Sequence, residues 1–232
     1  MLSTYVQDGL VDYEGLKRDG RPRLDAYLGG LETQAGRWDA WARHERLAFW
    51  VNAYNAYMIR LVLEHHPIAE VRSIGGVFGG ATFRRRFIPL GSAGGSVSLD
   101  DIEHWRLRSE FNDARIHFAV VCASRSCPAL RPDAYQPALL DAQLDEAARR
   151  FLADRSKNRY DPDTNTLWLS AIFDWFREDF ERDAGTLPGF VMRHLPASDL
   201  AVVRARRPRI RFLKYDWTLN ARAPRGSEGS VL

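Results

Sequence analysis

Cys122 and Cys127 are the chain's only cysteines, and they flank a short predicted turn. A disulfide between them is possible if the turn folds back, and it would suit an oxidising compartment. A metal site would need further ligands, and neither a CxxC pair nor an HExxH motif supplies them, so no metal is predicted. A reactive thiolate and a pair of inert structural thiols remain open beside the disulfide.

Cys127 is the stronger candidate for a reactive thiol because Pro128 follows it. Proline often occupies the first position of a helix. A thiol just before a helix start lies at the positive end of the helix dipole, which lowers the pKa of the thiol. We therefore take Cys127 as the candidate nucleophile and Cys122 as its structural neighbour in a binding site.

A cysteine nucleophile needs a base and a group that orients the base. His117 is the first candidate base and lies in a predicted strand over residues 115–122. Strand alternation turns His117 away from Cys122, which leaves Cys127 as the thiol it could meet. The alternative to a catalytic role is a structural one, in which His117 is an interior histidine held by hydrogen bonds. The structural role is the commoner one for a buried histidine.

His104 is the second candidate base, on a predicted helix over about residues 99–108. Its neighbour Glu103 supplies a carboxylate that could orient an imidazole. Ser98 followed by Asp101 is a capping signal that predicts where this helix begins.

Asn52 and Asn55 lie three positions apart on a helix predicted over residues 44–65. Asparagine is a poor helix former, so two of them in a buried helix need hydrogen-bond partners. One interpretation is an amide network that clamps a loop. The other is a binding role, in which Asn55 stabilises an oxyanion or Asn52 orients a histidine.

The elements that would position these residues indicate an α+β fold. The 44–65 helix is apolar nearly all round, which is typical of a central buried helix. We expect it to pack on a small, mainly antiparallel sheet with surrounding helices. Further helices are predicted at 137–153, 170–183 and 187–195, and further strands at 83–90, 96–99, around a turn at 161–165, and at 210–215.

One domain is predicted over residues 1–221, followed by a flexible tail at 222–232. Hydrophobic residues make up 45% and charged residues 27% of the chain, as in ordinary globular proteins. The formal net charge is +3, so the surface is mixed and nucleic acid is an unlikely partner. The arginine runs at 84–86 and 204–211 are better explained as solvated faces than as phosphate sites. No apolar stretch is long enough for a membrane span, and no cofactor is predicted.

Several motifs together resemble the domain of unknown function 547 family. The central ones are AFWVNAYNA at 48–56, SLDDIEH at 98–104 with Arg108, HFAVVC at 117–122 and SCP at 126–128. Further pieces also fit before residue 14 and after residue 133, including Trp175, Asp179 and YDWTLN at 215–220. The combination is specific and extends over nearly the whole chain, although no single piece is specific.

The resemblance implies a bacterial family that is commonly exported and that also occurs in plant proteins. A periplasmic or secreted location with an absent leader is therefore one expectation, and a cytoplasmic location is the other. The resemblance also adds Arg108 to the candidate binding residues. The inventory of cysteine, histidine, glutamate and asparagine is similar to that of papain-like and transglutaminase-like folds, an analogy at the level of the fold only.

Three functions follow from these residues. The first is a cysteine-dependent hydrolase or acyl transferase acting on amide or thioester bonds of a peptide or small-molecule ligand. The second is a non-enzymatic binding or scaffold domain, in which the polar residues are interior clamps. The third is a thiol-redox protein using Cys122 and Cys127, which is weaker because their spacing is wider than CxxC.

Overall fold

The computed structural model describes residues 2–78, 81–91 and 94–222. Within these residues helices predominate and two small sheets accompany them, which confirms the α+β class. The predicted tail at 222–232 lies outside the described residues from 223 onward.

The α-helices are α1 (Leu2–Tyr5), α2 (Tyr13–Gly15), α3 (Arg21–Glu32), α4 (Arg43–His65), α5 (Ala81–Arg84), α6 (Ser109–Phe111), α7 (Leu140–Ala153), α8 (Ile172–Trp175), α9 (Arg177–Ala184), α10 (Leu187–His194) and α11 (Ala197–Arg206). Tighter 3₁₀ turns occur at Trp38–Ala40, Val71–Phe78, Ala114–Phe118 and Pro137–Leu139. Two segments have π-helical hydrogen bonding, Leu16–Gly20 and Asp101–Arg108. The helices predicted from about residue 137 and from 187 are therefore confirmed, and the one predicted over 170–183 is divided at Phe176.

The strands form two separate sheets. In the first, β1 (Val6–Gln7) pairs antiparallel with β2 (Leu10–Val11). In the second, β3 (Arg159–Asp161) pairs antiparallel with β4 (Thr166–Leu169), as the predicted hairpin requires. Strand β5 (Arg209–Phe212) then pairs parallel with β4, with Leu167 opposite Ile210.

Helix α4 is the centre of the larger hydrophobic core and confirms the prediction for residues 44–65 within one residue. Its first turn is capped by Glu45, which accepts a hydrogen bond from the Ala42 backbone N–H at 2.8 Å. Side chains on nearly every side of the helix are buried, including Trp50, Tyr57 and Leu61. Continuous apolar character thus identifies a helix that other elements cover on nearly every side.

The capping signal before the site helix is also confirmed. The Asp101 backbone N–H donates to Ser98 Oγ at 3.0 Å, and the Ser98 backbone N–H donates to Asp101 Oδ2 at 2.9 Å. This reciprocal pair satisfies two backbone donors that a helix start leaves free. The Asp101–Arg108 segment, which carries Glu103 and His104, begins at this cap.

The strand predicted over residues 115–122 is wrong. Ala114–Phe118 forms a 3₁₀ turn, which begins where Asp113 accepts the Arg115 backbone N–H at 3.0 Å. Residues 116–121 are all buried, so the apolar run reflects burial on every side and not alternation between two faces. The argument that set His117 on the face opposite Cys122 therefore fails with the strand.

The predicted hairpin over residues 83–99 is reduced to a single bridge between Ile88 and Val97. Its first part is helical, because α5 covers Ala81–Arg84. The glycine-rich turn of that hairpin includes residues 92 and 93, which lie outside the described residues.

Two hydrophobic clusters meet at the segment that carries His117. Ile116 and Ala119 belong to the cluster around α4, whereas Phe118 belongs to a second cluster. That second cluster is rich in phenylalanine and joins α7, α8, α9 and α10. The segment between the clusters therefore has its position set by both of them.

Candidate functional site

A cavity of about 190 Å³ lies at this junction and brings together five of the predicted site residues. They are Glu103, His104, His117, Cys122 and Cys127. Most of the other lining residues are aromatic and come from distant parts of the chain. These aromatic residues are Tyr54, Phe83, Trp175, Phe176, Tyr215 and Trp217.

Cys122 and Cys127 form a disulfide bond. This outcome is one of the alternatives that the residues left open. Cys127 is buried, and its Sγ accepts hydrogen bonds from the Cys122 backbone N–H at 2.9 Å and from the Tyr215 hydroxyl at 3.2 Å. Two donors on one sulfur would stabilise a thiolate there if the disulfide were reduced.

No helix begins at Pro128, so the helix dipole does not act on Cys127 as the sequence suggested. Residues 128–130 continue as irregular backbone. The hydrogen-bond donors on Cys127 Sγ therefore take the place of the predicted dipole.

The cysteine loop is held by the chain segment after β5. The Ser126 backbone N–H donates to Asp216 O at 3.2 Å, and Ser126 Oγ accepts the Asp216 backbone N–H at 2.8 Å. The Arg125 backbone N–H donates to Thr218 O at 2.8 Å, and the Asn220 backbone N–H donates to Ala123 O at 3.0 Å. These contacts set Cys127 beside Tyr215.

His117 is fully buried and pairs with Asp179 of helix α9. Its Nε2 lies 2.7 Å from Asp179 Oδ2, and its ring stacks on Phe176 with a centroid distance of 4.0 Å. Although burial alone would raise the pKa of Asp179, the hydrogen bonds and charges of His117 and Arg108 hold it well below its usual range. Asp179 is therefore ionised at neutral pH.

The pairing with Asp179 determines which ring nitrogen of His117 carries the proton. An ionised carboxylate only accepts hydrogen bonds, so Nε2 must donate. Burial lowers the pKa of His117, against the opposing effect of Asp179, and the neutral ring then leaves Nδ1 as an acceptor. That Nδ1 is buried and has no hydrogen-bond partner within the described part of the chain. Its free lone pair is what a general base requires.

Arg108 links the two histidines through Asp179. Its guanidinium donates to Asp179 through Nε at 2.5 Å and through Nη2 at 3.2 Å. Its Nη1 lies 2.9 Å from Nδ1 of His104, which must accept because arginine only donates. Burial and the Arg108 charge lower the pKa of His104. Arg182 also forms an ion pair with Asp179.

Glu103 and Asp100 contribute two carboxyl groups to the same lining. Burial, followed by the neighbouring charge of Asp100, raises the pKa of Glu103 to about 7. Its hydrogen bond with the Tyr54 hydroxyl is long, at 3.5 Å. Burial also raises the pKa of Asp100, although His104 and Arg84 act in the opposite direction. The cavity thus contains one carboxyl that is about half protonated near pH 7.

Asn52 and Asn55 lie at a different cavity, of about 340 Å³, and hold backbone groups. The Asn55 amide donates to Ala119 O at 2.9 Å and accepts the Val121 backbone N–H at 2.9 Å. Asn52 makes the same two bonds with the backbone of Tyr135, at 2.8 and 2.9 Å. Both amides therefore act as the loop clamps that the sequence offered as one alternative.

Asp179, Tyr215 and Asp100 are site residues to which sequence reasoning gave no role. Asp179 lies between Phe176 and Phe180 in the chain, and an acidic residue on a helix face that carries buried aromatics is a signal for a buried partner. Tyr215 and Asp100 gave no comparable signal, because their neighbours are polar or mixed. Within the described residues, no group of three or more His, Cys, Asp or Glu side chains is arranged to hold a metal ion.

The fold and the site define an α+β domain with a cystine, two histidines and two carboxyls around one aromatic-walled cavity. Residues 38–152 match the family described as "Protein of unknown function, DUF547", and through this segment the chain belongs to that family. The matched segment contains the cysteines, both histidines and Glu103, whereas Asp179 and Tyr215 lie beyond it. No curated protein and no solved structure matches the chain.

The helices of residues 2–78, 81–91 and 94–222 include none with the length and apolar character needed to cross a membrane.

Proposed function

We propose that the protein is a cysteine-dependent hydrolase or acyl transferase that acts on amide or thioester bonds, with Cys127 as the nucleophile. The observation that carries the proposal is the presence of Cys127 and the Asp179-paired His117 in one cavity, with Nδ1 of His117 unpartnered. A nucleophile, a base and a group that orients the base are the three parts such chemistry needs.

The first chemical step is transfer of the Cys127 thiol proton to Nδ1 of His117. The thiolate then adds to the acyl carbon of the substrate, and the imidazolium returns its proton to the departing amine or thiol. A thioester remains on Cys127, and water or a second nucleophile releases the acyl group by the reverse proton transfers. Asp179 holds the imidazole in the required tautomer and stabilises its charged form.

Cys127 Sγ and His117 are not hydrogen-bonded to each other in the disulfide form. Reduction frees the Sγ to rotate about χ1, and the proposal requires that this rotation, with at most one bridging water, bring the thiol within reach of Nδ1 of His117. The Cys122 backbone N–H and the Tyr215 hydroxyl stabilise the thiolate before attack. The proposal therefore requires the reduced protein.

Thiol alkylation tests the nucleophile most directly. In Cys122→Ser, which cannot form the disulfide, we expect iodoacetamide to label Cys127 at least about tenfold faster than a free cysteine at pH 6.5, because its thiolate is stabilised. The labelling rate should fall in Cys122→Ser combined with His117→Ala. The matched control is Cys127→Ser, in which Cys122 should label at an ordinary rate.

Turnover provides the second measurement. A panel of acyl thioesters and acyl amides should be cleaved by the reduced wild-type protein and not by Cys127→Ala. Ordinary labelling of Cys127 together with undiminished turnover in Cys127→Ala would refute the nucleophile.

The disulfide supports a second candidate, thiol–disulfide exchange with a partner protein or small thiol. That activity needs both sulfurs, whereas acyl transfer needs Cys127 alone. Cys122→Ser therefore separates the two functions, because it abolishes exchange and preserves acyl transfer. A protein that shows neither activity would fit the non-enzymatic binding domain instead.

A further inference from the structure

The cavity has an aromatic wall, and the chemistry proposed above uses none of its ring faces. Trp175 and Trp217 lie nearly parallel, with an interplanar angle of 18° and centroids 5.9 Å apart. Tyr215 packs against both, with centroid distances of 4.8 Å to Trp175 and 4.6 Å to Trp217. Trp175 is 50% exposed, which is unusual for so large an apolar side chain.

The charged groups in the lining are all acidic. Asp100 and Glu103 line the cavity, and among the described residues no lysine or arginine does so. The nearest arginine, Arg108, acts on Glu103 through its charge but is itself paired with Asp179. Two partly buried carboxyls in a lining that contains neither lysine nor arginine favour a ligand that brings positive charge.

His117 adds an independent indication. Its side chain is only 1% exposed, and its Nδ1 is an acceptor without a hydrogen-bond partner in the described structure. In the disulfide form there is no thiol proton for this acceptor to take up, and a ligand that donates a hydrogen bond to it would satisfy it.

We propose that the cavity recognises the substrate through a compact alkylammonium group, which the carboxyls of Asp100 and Glu103 pair with and the rings of Trp175, Tyr215 and Trp217 cover. A cation over the face of tryptophan or tyrosine is attracted by the ring quadrupole, and this attraction is strongest where water is excluded. The proposal rests on the proposed function only in taking this cavity as the substrate site.

The cavity size limits which part of the substrate can enter. A volume of about 190 Å³ corresponds to about six water molecules. That space takes the aminoalkyl end of a larger molecule and excludes a drug-sized ligand. The substrate class is therefore an acyl compound with a primary amine a few carbons from the reacting bond.

Competing ligand classes fit the lining less well. An anion would face Asp100 directly, and among the described residues no lysine or arginine lines the cavity to neutralise it. A neutral alkyl group would cover the two carboxyls without pairing them, which leaves them desolvated.

Binding of three matched small molecules to the disulfide-containing wild-type protein tests the proposal. The probes are n-butylammonium, the neutral 1-pentanol and the anionic pentanoate, and the readout is the indole N–H resonances of Trp175 and Trp217 in NMR spectra at pH 8. We expect n-butylammonium to bind at least about tenfold more tightly than 1-pentanol, and pentanoate not to bind. Equal affinity for the first two probes, or preference for pentanoate, would overturn the proposal.

Two variants identify the groups responsible. Glu103→Gln should weaken n-butylammonium binding at least about tenfold while leaving 1-pentanol binding unchanged. Glu110→Gln is the matched control on the next turns of the same helical region, because Glu110 pairs with Arg106 on the surface. Unchanged n-butylammonium binding in Glu103→Gln would also overturn the proposal.

The outcome is distinguishable from failure of the proposed function. Because the disulfide is intact in the binding experiment, the result does not depend on a reactive thiol. Ammonium-selective binding without any Cys127-dependent turnover would support the alkylammonium site and refute the proposed enzymatic function. Cys127-dependent turnover without ammonium selectivity would support the proposed enzymatic function and refute the alkylammonium site.

Discussion

Replacing Glu103 by glutamine should stabilise the protein at alkaline pH and not at acidic pH. The pKa of Glu103 is about 7 in the folded protein, against an ordinary value of 4.5. A carboxyl with a raised pKa favours the folded state fully below pH 4.5, and that contribution is lost as the pH rises through 7. Glutamine has the same shape and stays neutral at every pH, so the variant does not lose this stability as the pH rises.

The magnitude follows from the difference between the two pKa values. At 1.36 kcal/mol for each pH unit, ionising Glu103 in the folded state costs about 3 kcal/mol above pH 8. This figure is an upper limit, because Glu103 is only partly buried and water in the cavity screens its charge. In a chain of this length about 3 kcal/mol corresponds to a change in Tm of about 6–12 °C.

Urea unfolding of wild type and Glu103→Gln at pH 4.5, 6, 7 and 8 measures this effect, with the disulfide kept oxidised. The difference in unfolding free energy should grow in favour of the variant up to about pH 7.5 and then level off. Tyr54, Asp100, Arg108 and Asp179, which act on Glu103, are present in both wild type and variant, so their own titration largely cancels in the difference. A difference that is constant with pH, or that shrinks as pH rises, would refute the reasoning.

Glu110→Gln is the control for that measurement. Glu110 is exposed and pairs with Arg106 at 3.0 Å on the surface. Surface ion pairs contribute little, so this variant should stay within about 0.5 kcal/mol of wild type at every pH.

The remaining predictions concern stability and redox state. Asp179→Asn should lower the free energy of unfolding by about 3–5 kcal/mol at pH 7 in urea unfolding, because His117 and Arg108 both lose the carboxylate that they contact. Since the pKa of Asp179 lies below its usual range, this loss should be present above about pH 4 and shrink on further acidification, and a loss that grows towards low pH would contradict it. Asn55→Ala should cost about 2–4 kcal/mol and speed amide exchange at Val121, because two buried backbone groups lose their partners; unchanged exchange would count against the clamp. Reduction of the Cys122–Cys127 disulfide should add two hydrogens to the mass and lower stability by about 2 kcal/mol, and no mass change would show free thiols.

Local signals in the sequence predicted the elements that form from neighbouring residues. The apolar pattern of residues 44–65 predicted helix α4, because a helix needs only the residues three and four positions away. The Ser98 and Asp101 cap and the β3–β4 hairpin were predictable for the same reason. Residue chemistry also predicted that Cys127, His117, His104 and Glu103 are concentrated at one place.

The partners of those residues were not predictable, because they come from distant parts of the chain. Asp179 is 62 positions from His117, and Tyr215 is 88 positions from Cys127. No periodic pattern connects residues so far apart. Only packing between the two hydrophobic clusters brings helix α9 and the segment after β5 to the same cavity.

The segment after Asp113 shows most clearly what the sequence determined and what the tertiary structure decided. The sequence determined that residues 116–121 are apolar apart from His117 and that the apolar ones must be buried. A strand would bury them beside a neighbouring strand that satisfies their backbone groups. Here the amide of Asn55 on helix α4 satisfies the backbone of Ala119 and Val121, so no strand is needed. These two long-range hydrogen bonds take the place of a neighbouring strand directly after the 3₁₀ turn, in which His117 pairs with Asp179.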